Sequence, residues 1–311
     1  MSDRQHFHAI GAPGQPWGAA EIALWRSRQQ RQRSYADDVL ACIDALRDRF
    51  DVLRYGEVAH GDEFFPLQAV RSRQWQPVRP TVLVTGGVHG YETSGVHGAL
   101  RFLETCAASY QDQVNLLVVP CVSPWAYERV QRWNADAVDP NRSFRDPSPA
   151  PESAALMALV APLRGSFAAH IDLHETTDTD ESEFRPAKAA RDGEAFEPCT
   201  IPDGFYLVDD TENPQPAFQQ AIIAAVERVT HIAQADAQGG LIGSALAGHG
   251  VIRYPLRELG LCTSLTGAPL TTTTEVYPDS PRTTVDQCNQ AQVVAVCAAL
   301  DFVLAQHGRS A

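Results

Sequence analysis

With 311 residues, 44% of them hydrophobic, the chain is long enough for one large α/β domain or two ordinary ones, and a single domain is expected. Its 38 Asp and Glu outnumber 25 Lys and Arg for a formal net charge of −13. That argues against nucleic acid or an anionic membrane as a partner, since both are held by clustered cations that the sequence lacks. Seven cysteines, odd in number and without a C-x-x-C pair, point to a reduced compartment and away from a disulfide framework or a cysteine zinc site.

Residues 1–17 are polar, without an apolar core of signal-peptide length, and no later stretch reaches about 18 uncharged apolar residues, so the expected location is cytoplasmic. Residues 18–34 read as a solvated helix, its Arg/Gln run a wet face because Asp37 and Asp38 follow at once. Residues 35–50 carry Val39, Leu40, Ile43, Leu46 and Phe50 at helical spacing. Together, residues 1–50 are expected to form a helical extension packed on a main domain spanning 51–311. A hairpin follows, with strands at 52–55 and 64–70 around His60-Gly61-Asp62. From Thr81 onward strands (near 81–88, 114–122, 168–174, 204–209 and 270–277) alternate with helices (near 94–108, 151–163, 216–234 and 284–307). This predicts an α/β fold, a doubly wound mixed, largely parallel sheet with helices on both faces. The stretches 123–150 and 175–203 are long and poorly periodic, and such loops in a compact domain tend to carry function.

The chemistry collects around Gly86-Gly87-Val88-His89-Gly90-Tyr91-Glu92, at the end of the apolar strand 81–84. A His and a Glu three positions apart at a strand's C-terminal edge can converge on one ion, and a catalytic zinc site takes three protein ligands with one position open. Ile171-Asp172-Leu173-His174 offers a third ligand at the end of another apolar strand, with Asp172 placed to orient an imidazole or a nearby arginine. His97, His170, His231 and His249 read as ordinary surface or core histidines. In the segment 132–144, Asn141 and Arg142 suit an anionic substrate end, because a guanidinium matches a carboxylate with two parallel hydrogen bonds. On those residues alone, a loop salt bridge from Arg142 to Asp139 or Asp146 is the simpler reading. Glu275 is the one carboxylate in the uncharged strand 271–277, where burial is costly without a salt bridge or work as a general base. The acidic loop 178–183, with Arg185 and Lys188, reads as exposed, or else as the border of a site that favours cationic substrates.

In this order the pieces resemble the zinc carboxypeptidase family, the M14 metallopeptidases. The resemblance runs from about Tyr55 to the end of the chain, and Tyr55-Gly56-Glu57 with Gly61-Asp62 is similar to that family's usual start. It implies a zinc carboxypeptidase-like fold, one zinc ion per chain ligated by His89, Glu92 and His174, and Glu275 as general base acting on water that the metal has made acidic. It also implies Asn141 and Arg142 on the substrate's terminal carboxylate, and Arg132, ten residues before Arg142, polarising the scissile carbonyl as in bacterial members. For the family's mobile tyrosine, Tyr254 is the nearest counterpart by spacing, in surroundings that match no motif. Asp-Leu-His-Glu-Thr-Thr is also similar to the succinylglutamate desuccinylase/aspartoacylase branch, which makes an N-acyl amino acid deacylase the alternative. Against that layout, Glu275 stands 101 residues beyond His174 with one long helix after it. The implied function is a metallocarboxypeptidase-like hydrolase acting on a peptide or small amide with a free carboxylate. A non-catalytic binding protein on the same scaffold is expected only if a ligand or the base were missing.

Overall fold

The computed structural model describes residues 8–310; residues 1–7, part of the segment read as polar and leaderless, lie outside the described residues. Helix α1 (Ala19–Arg28) and a π turn running into α2 (Ala41–Asp44) precede the hairpin β1 (Phe50–His60) and β2 (Glu63–Ser72). Then come β3 (Thr81–Gly86), α3 (Thr93–Thr105), β4 (Asn115–Val119), α4 (Pro124–Arg129), α5 (Pro151–Val160), β5 (Phe167–Glu175) and α6 (Arg185–Asp192). They are followed by β6 (Tyr206–Asp210), α7 (Pro216–Val226), the short strands β7 (Gly240–Leu241) and β8 (Ser244–Ala245), β9 (Val251–Tyr254), β10 (Leu270–Val276) and α8 (Val285–Ser310).

Eight strands form one mixed sheet in the order β1-β2-β4-β3-β5-β10-β6-β9. The centre, from β4 through β3 and β5 to β10, is parallel, as is β6 with β9, whereas β1/β2, β2/β4 and β10/β6 run antiparallel. A parallel centre needs cover on both faces, and its strands accordingly read as unbroken apolar runs. Along β3, Val82 and Val84 join the core built with α3, α7 and α8, while Leu83 points the other way, toward Leu117 of β4 and Leu156 of α5. The threonines of β10 are buried yet satisfied: Thr272 donates to Gln219 of α7 (2.7 Å) and Thr274 to Gln292 of α8 (2.5 Å). Gln292 in turn donates to the His174 carbonyl (2.8 Å), fixing the end of β5 from the helix side.

The N-terminal part departs from its sequence reading. The helix expected to reach residue 34 stops at Arg28, because the backbone of Gln32 and Arg33 turns to the Glu128 carbonyl (2.7 and 3.1 Å). The Arg run is therefore no wet helix face: Arg31 pairs with Glu128 (2.8 Å), and Arg33 donates to Thr93 (2.7 Å) and lies over the Tyr127 ring. The helix expected over 35–50 ends at Asp44, and Phe50 opens β1 instead. Trp25 packs beside Trp125 and Trp133, with ring centroids 6.0 and 5.6 Å away, so this segment backs the loop that carries Arg132.

Elsewhere the expected helix over 216–234 ends at Val226, since Ile232 leaves to bridge Phe205 beside β6. The stretches 123–150 and 175–203 hold α4 and α6, which are too short to show an apolar period, and β9 adds a strand that four residues could not signal. Helix α8 is long and apolar enough by composition to cross a membrane, contrary to the reading that no stretch is, and half of that window is buried inside the fold.

Candidate metal centre and its cavity

Strand β3 ends where its backbone meets α3 closely. A side chain at Gly86 would meet the Gly95 carbonyl oxygen at 2.4 Å, and Gly87 takes φ +59°, so both positions require glycine. Past this turn Val88 fills the core, and His89 and Glu92 point inward, 2% and 1% exposed. Parallel β5 stays in register with β3 as far as Gly86 opposite Leu173, which delivers His174 beside the same turn.

The two imidazoles lie 5.0 Å apart, centroid to centroid, and close to perpendicular. Nδ1 of His89 is 2.7 Å from Glu92 Oε1, and Nδ1 of His174 is 2.6 Å from Glu92 Oε2. The candidate ligand atoms of all three residues fall within 4.8 Å of one another. Glu92 Oε2 is buried without a hydrogen bond, its close approach to His174 lacking the geometry of one. A buried carboxylate oxygen in that state is costly unless a cation takes it. The donor set thus fits a divalent metal ion.

Each imidazole is held from behind by a carboxylate. His89 Nε2 lies 3.0 Å from Asp139 Oδ1, and His174 Nε2 lies 2.7 Å from Asp172 Oδ2. A carboxylate partner favours the Nε2–H tautomer and leaves Nδ1 as the ligand atom. Asp139 also accepts from Arg132 Nε (3.1 Å) and from the Asn141 backbone N–H (2.9 Å). Although burial opposes it, Arg132 and His89 hold the Asp139 carboxyl well below the usual carboxylate range. Asp172 is fully buried and accepts from Thr85 Oγ1 (2.6 Å), which His170 Nε2 approaches at 3.0 Å. That contact occupies His170 away from the metal set, and burial lowers its pKa to about 4. His97 meets Tyr127, His231 pairs with Asp203 and His249 lies near Glu227, so none of these joins the set.

Glu275 arrives by register: on β10 it stands opposite His174 of β5 on one side and Tyr206 of β6 on the other. Its Oε2 accepts from Thr176 Oγ1 (3.0 Å), which lies 2.7 Å from the Tyr206 hydroxyl. Burial pushes its pKa up to about 8; His174 opposes this, and the nearby Glu92 and Asp180 add to it.

Arg132 is clasped by Asp139 and, through Nη1, approaches Asp180 (3.5 Å) and the Tyr91 hydroxyl (3.4 Å). Arg142 is exposed, donates to the Asn141 carbonyl (2.7 Å) and has no ion-pair partner among the described residues. The loop salt bridge to Asp139 or Asp146 is not formed, because Asp139 is taken by Arg132 and His89. Asn141 lines the cavity; its Oδ1 accepts the Cys262 N–H (2.7 Å), and its amide nitrogen lies 3.4 Å from His174 Nε2. The acidic loop is not wholly exposed either. Asp180 is buried, accepting from the Tyr91 hydroxyl (2.7 Å) and the Thr177 N–H (2.8 Å).

All eight residues singled out from sequence, His89, Glu92, Arg132, Asn141, Arg142, His174, Tyr254 and Glu275, wall one cavity of 110 Å³. It adjoins a cleft of 1040 Å³ through Arg132, Arg142, Asp180, Ile242 and Tyr254, which line both. Sequence reading missed the parts played by Asp139, Asp180, Thr176 and Tyr206. Asp139 had a local signal, as an Asp capping the turn of Asp-Pro-Asn-Arg, whereas the other three gain their place only from the fold.

Residues 78–194 match the succinylglutamate desuccinylase/aspartoacylase catalytic domain. No curated protein matches the chain. A candidate metallopeptidase from Shewanella denitrificans OS217 superposes with TM-score 0.63 at 19% identity, covering 86% of this chain and 89% of its own. A metallo-carboxypeptidase from Burkholderia cenocepacia gives 0.55 at 14%, covering 92% of this chain and 70% of its own. Bovine thrombin-activatable fibrinolysis inhibitor, solved with a tick carboxypeptidase inhibitor, gives 0.58 at 13%, covering 94% and 99%.

Proposed function

We propose that this chain, whose fold and residues 78–194 support the M14 metallopeptidase family with its succinylglutamate desuccinylase/aspartoacylase branch, is a zinc-dependent carboxypeptidase-like hydrolase. It cleaves an amide or peptide bond next to a substrate carboxylate. One observation carries the reading: a His-Glu-His donor set, a strand-borne glutamate and an arginine without an ion-pair partner among the described residues share one 110 Å³ cavity.

His89, Glu92 and His174 would hold one zinc ion, which when bound supplies Lewis acidity, making water acidic and the scissile carbonyl electrophilic. The chain's own residues do the rest. Arg142 grips the substrate's terminal carboxylate, with the Asn141 amide nitrogen as a second donor. Arg132, held by Asp139 and Asp180, faces the carbonyl oxygen, where negative charge develops as the carbonyl carbon becomes tetrahedral. Glu275, tethered through one oxygen by Thr176, takes a proton from water as the new C–O bond forms. It then passes that proton to the leaving nitrogen as the C–N bond breaks. Tyr254 closes over the substrate from the mouth of the cavity.

Release of an amino acid from a short acyl group is the second reading, favoured by the match over residues 78–194. The adjoining 1040 Å³ cleft supports a longer acyl side, because an acetyl or succinyl group would leave most of it empty. The test is to incubate zinc-loaded protein with peptides and N-acyl amino acids and identify products by mass. Loss of one C-terminal residue from peptides upholds the first reading, acyl release alone the second, and zinc-dependent turnover of neither removes both.

A further inference from the structure

Resting on the hydrolase reading above, we infer that Ile242 sets which residue the enzyme releases, restricting it to a small one. Ile242 and Gly243 form the two-residue turn between β7 and β8, with φ of +46° and +79°. Two consecutive positive φ values make a turn of the kind that favours Asn-Gly or Gly-Gly. A β-branched side chain there is strained, since its Cβ crowds the backbone in the left-handed region. Nothing in the turn itself calls for isoleucine.

Its location supplies the reason. Five residues line both the cavity and the cleft, and Ile242 is the one aliphatic side chain among them. The side chain packs on the cluster that includes Tyr206, Val208 and Leu261, as Tyr254 does, and it lies where the two spaces meet. An apolar cavity of about 150 Å³ holds one benzene ring. The cavity here is 110 Å³ and must also receive a carboxylate at Arg142, which leaves no room for a phenyl or indole ring. Its walls carry charged groups of both signs, Asp180 and Glu175 as well as Arg132 and Arg142, so it is the size of the space and not its charge that sets the limit. Glycine, alanine or serine fits.

The test compares wild type with Ile242→Asn and Ile242→Gly in three measurements on zinc-loaded protein. These are kcat/KM on peptides that differ only in a terminal Ala, Phe, Lys or Glu, calorimetric binding of free L-alanine and L-phenylalanine, and thermal melting. Wild type should favour the Ala peptide over the Phe peptide by at least about tenfold, and both variants should narrow that ratio by about tenfold. Melting should hold or rise by about 2 °C as the turn is relieved. A wild-type preference for Phe, Lys or Glu overturns the inference, as does a ratio unchanged in both variants, or a drop of more than about 5 °C in both, which would make Ile242 a packing residue. If no peptide is cleaved, the carboxypeptidase reading fails on its own, and amino acid binding still decides. Tighter binding of L-alanine in wild type, equalised in the variants, upholds the role of Ile242, and the reverse order removes it.

Discussion

The two imidazoles of the donor set stand on different foundations. His174 rises from the central sheet: its carboxylate Asp172 is on the same strand, Thr85 on the neighbouring strand holds Asp172, and Gln292 of α8 holds the His174 carbonyl. His89 sits in a turn, and its carboxylate Asp139 comes from the loop 123–150, where it also holds Arg132. The partners on the sheet side hold the His174 ring and its carbonyl. On the proposed function the loop side couples ligand orientation to substrate handling, so a change at Asp139 should reach both and a change at Asp172 only one.

The largest effect is expected at Glu275, the proposed base. Glu275→Gln should keep zinc stoichiometric by elemental analysis and lose turnover by a factor of about 10²–10⁴, the range general acid–base work supplies. Full activity in that variant would remove Glu275 from the chemistry.

Next comes the direct contrast between the two sides. Asp172→Asn should weaken zinc binding about 100-fold in a chelator competition, with kcat at saturating zinc little changed. Asp139→Asn should weaken it about 10-fold and also lower kcat, because Arg132 loses its anchor. Equal effects on affinity and rate in both variants would erase the distinction.

Arg142 sharpens the loop side further. Arg142→Ala should cost about 10–100-fold in kcat/KM on substrates with a free terminal carboxylate, the worth of one charge-assisted hydrogen-bonding group, and little on the amidated forms. Equal loss on both would make the arginine structural.

The smallest effect concerns stability beneath the loop. Glu152, buried at the start of α5 and 3.4 Å from Asn134, has its pKa pushed by burial from the ordinary 4.5 to about 7. A carboxyl whose folded pKa is raised favours the fold in its neutral form. Its contribution is therefore full below pH 4.5 and is lost as the pH rises through 7. Between those values the wild type should lose about 3 kcal/mol that Glu152→Gln retains, read by denaturant melts across the range. Parallel stability curves for the two proteins would show that folding leaves the Glu152 carboxyl unshifted.

What could be read from sequence follows the same division. Strand ends are legible, because an apolar run that stops at Gly-Gly or at Asp-Leu-His announces both the sheet and the side chains at its edge, so His89, Glu92 and His174 can be picked out without coordinates, whereas Glu275 is ambiguous until the family resemblance gives it a role. Loop partners are not, because a carboxylate's neighbour in space leaves no trace in spacing. Asp139 therefore looked like a salt-bridge partner for Arg142 and turned out to serve His89 and Arg132, and Asp180 looked exposed in an acidic run. Ile242 was invisible for another reason. Its interest lies in a backbone angle that its residue type disfavours, and sequence patterns report what residues prefer.

The most direct check is a zinc-edge anomalous difference map from crystals grown with zinc. One ion is expected, ligated by Nδ1 of His89, Nδ1 of His174 and the Glu92 carboxylate, with Glu275 facing it across the cavity. An ion held elsewhere, or held through the Nε2 atoms that Asp139 and Asp172 occupy here, would contradict the reading of this cavity as a hydrolase centre.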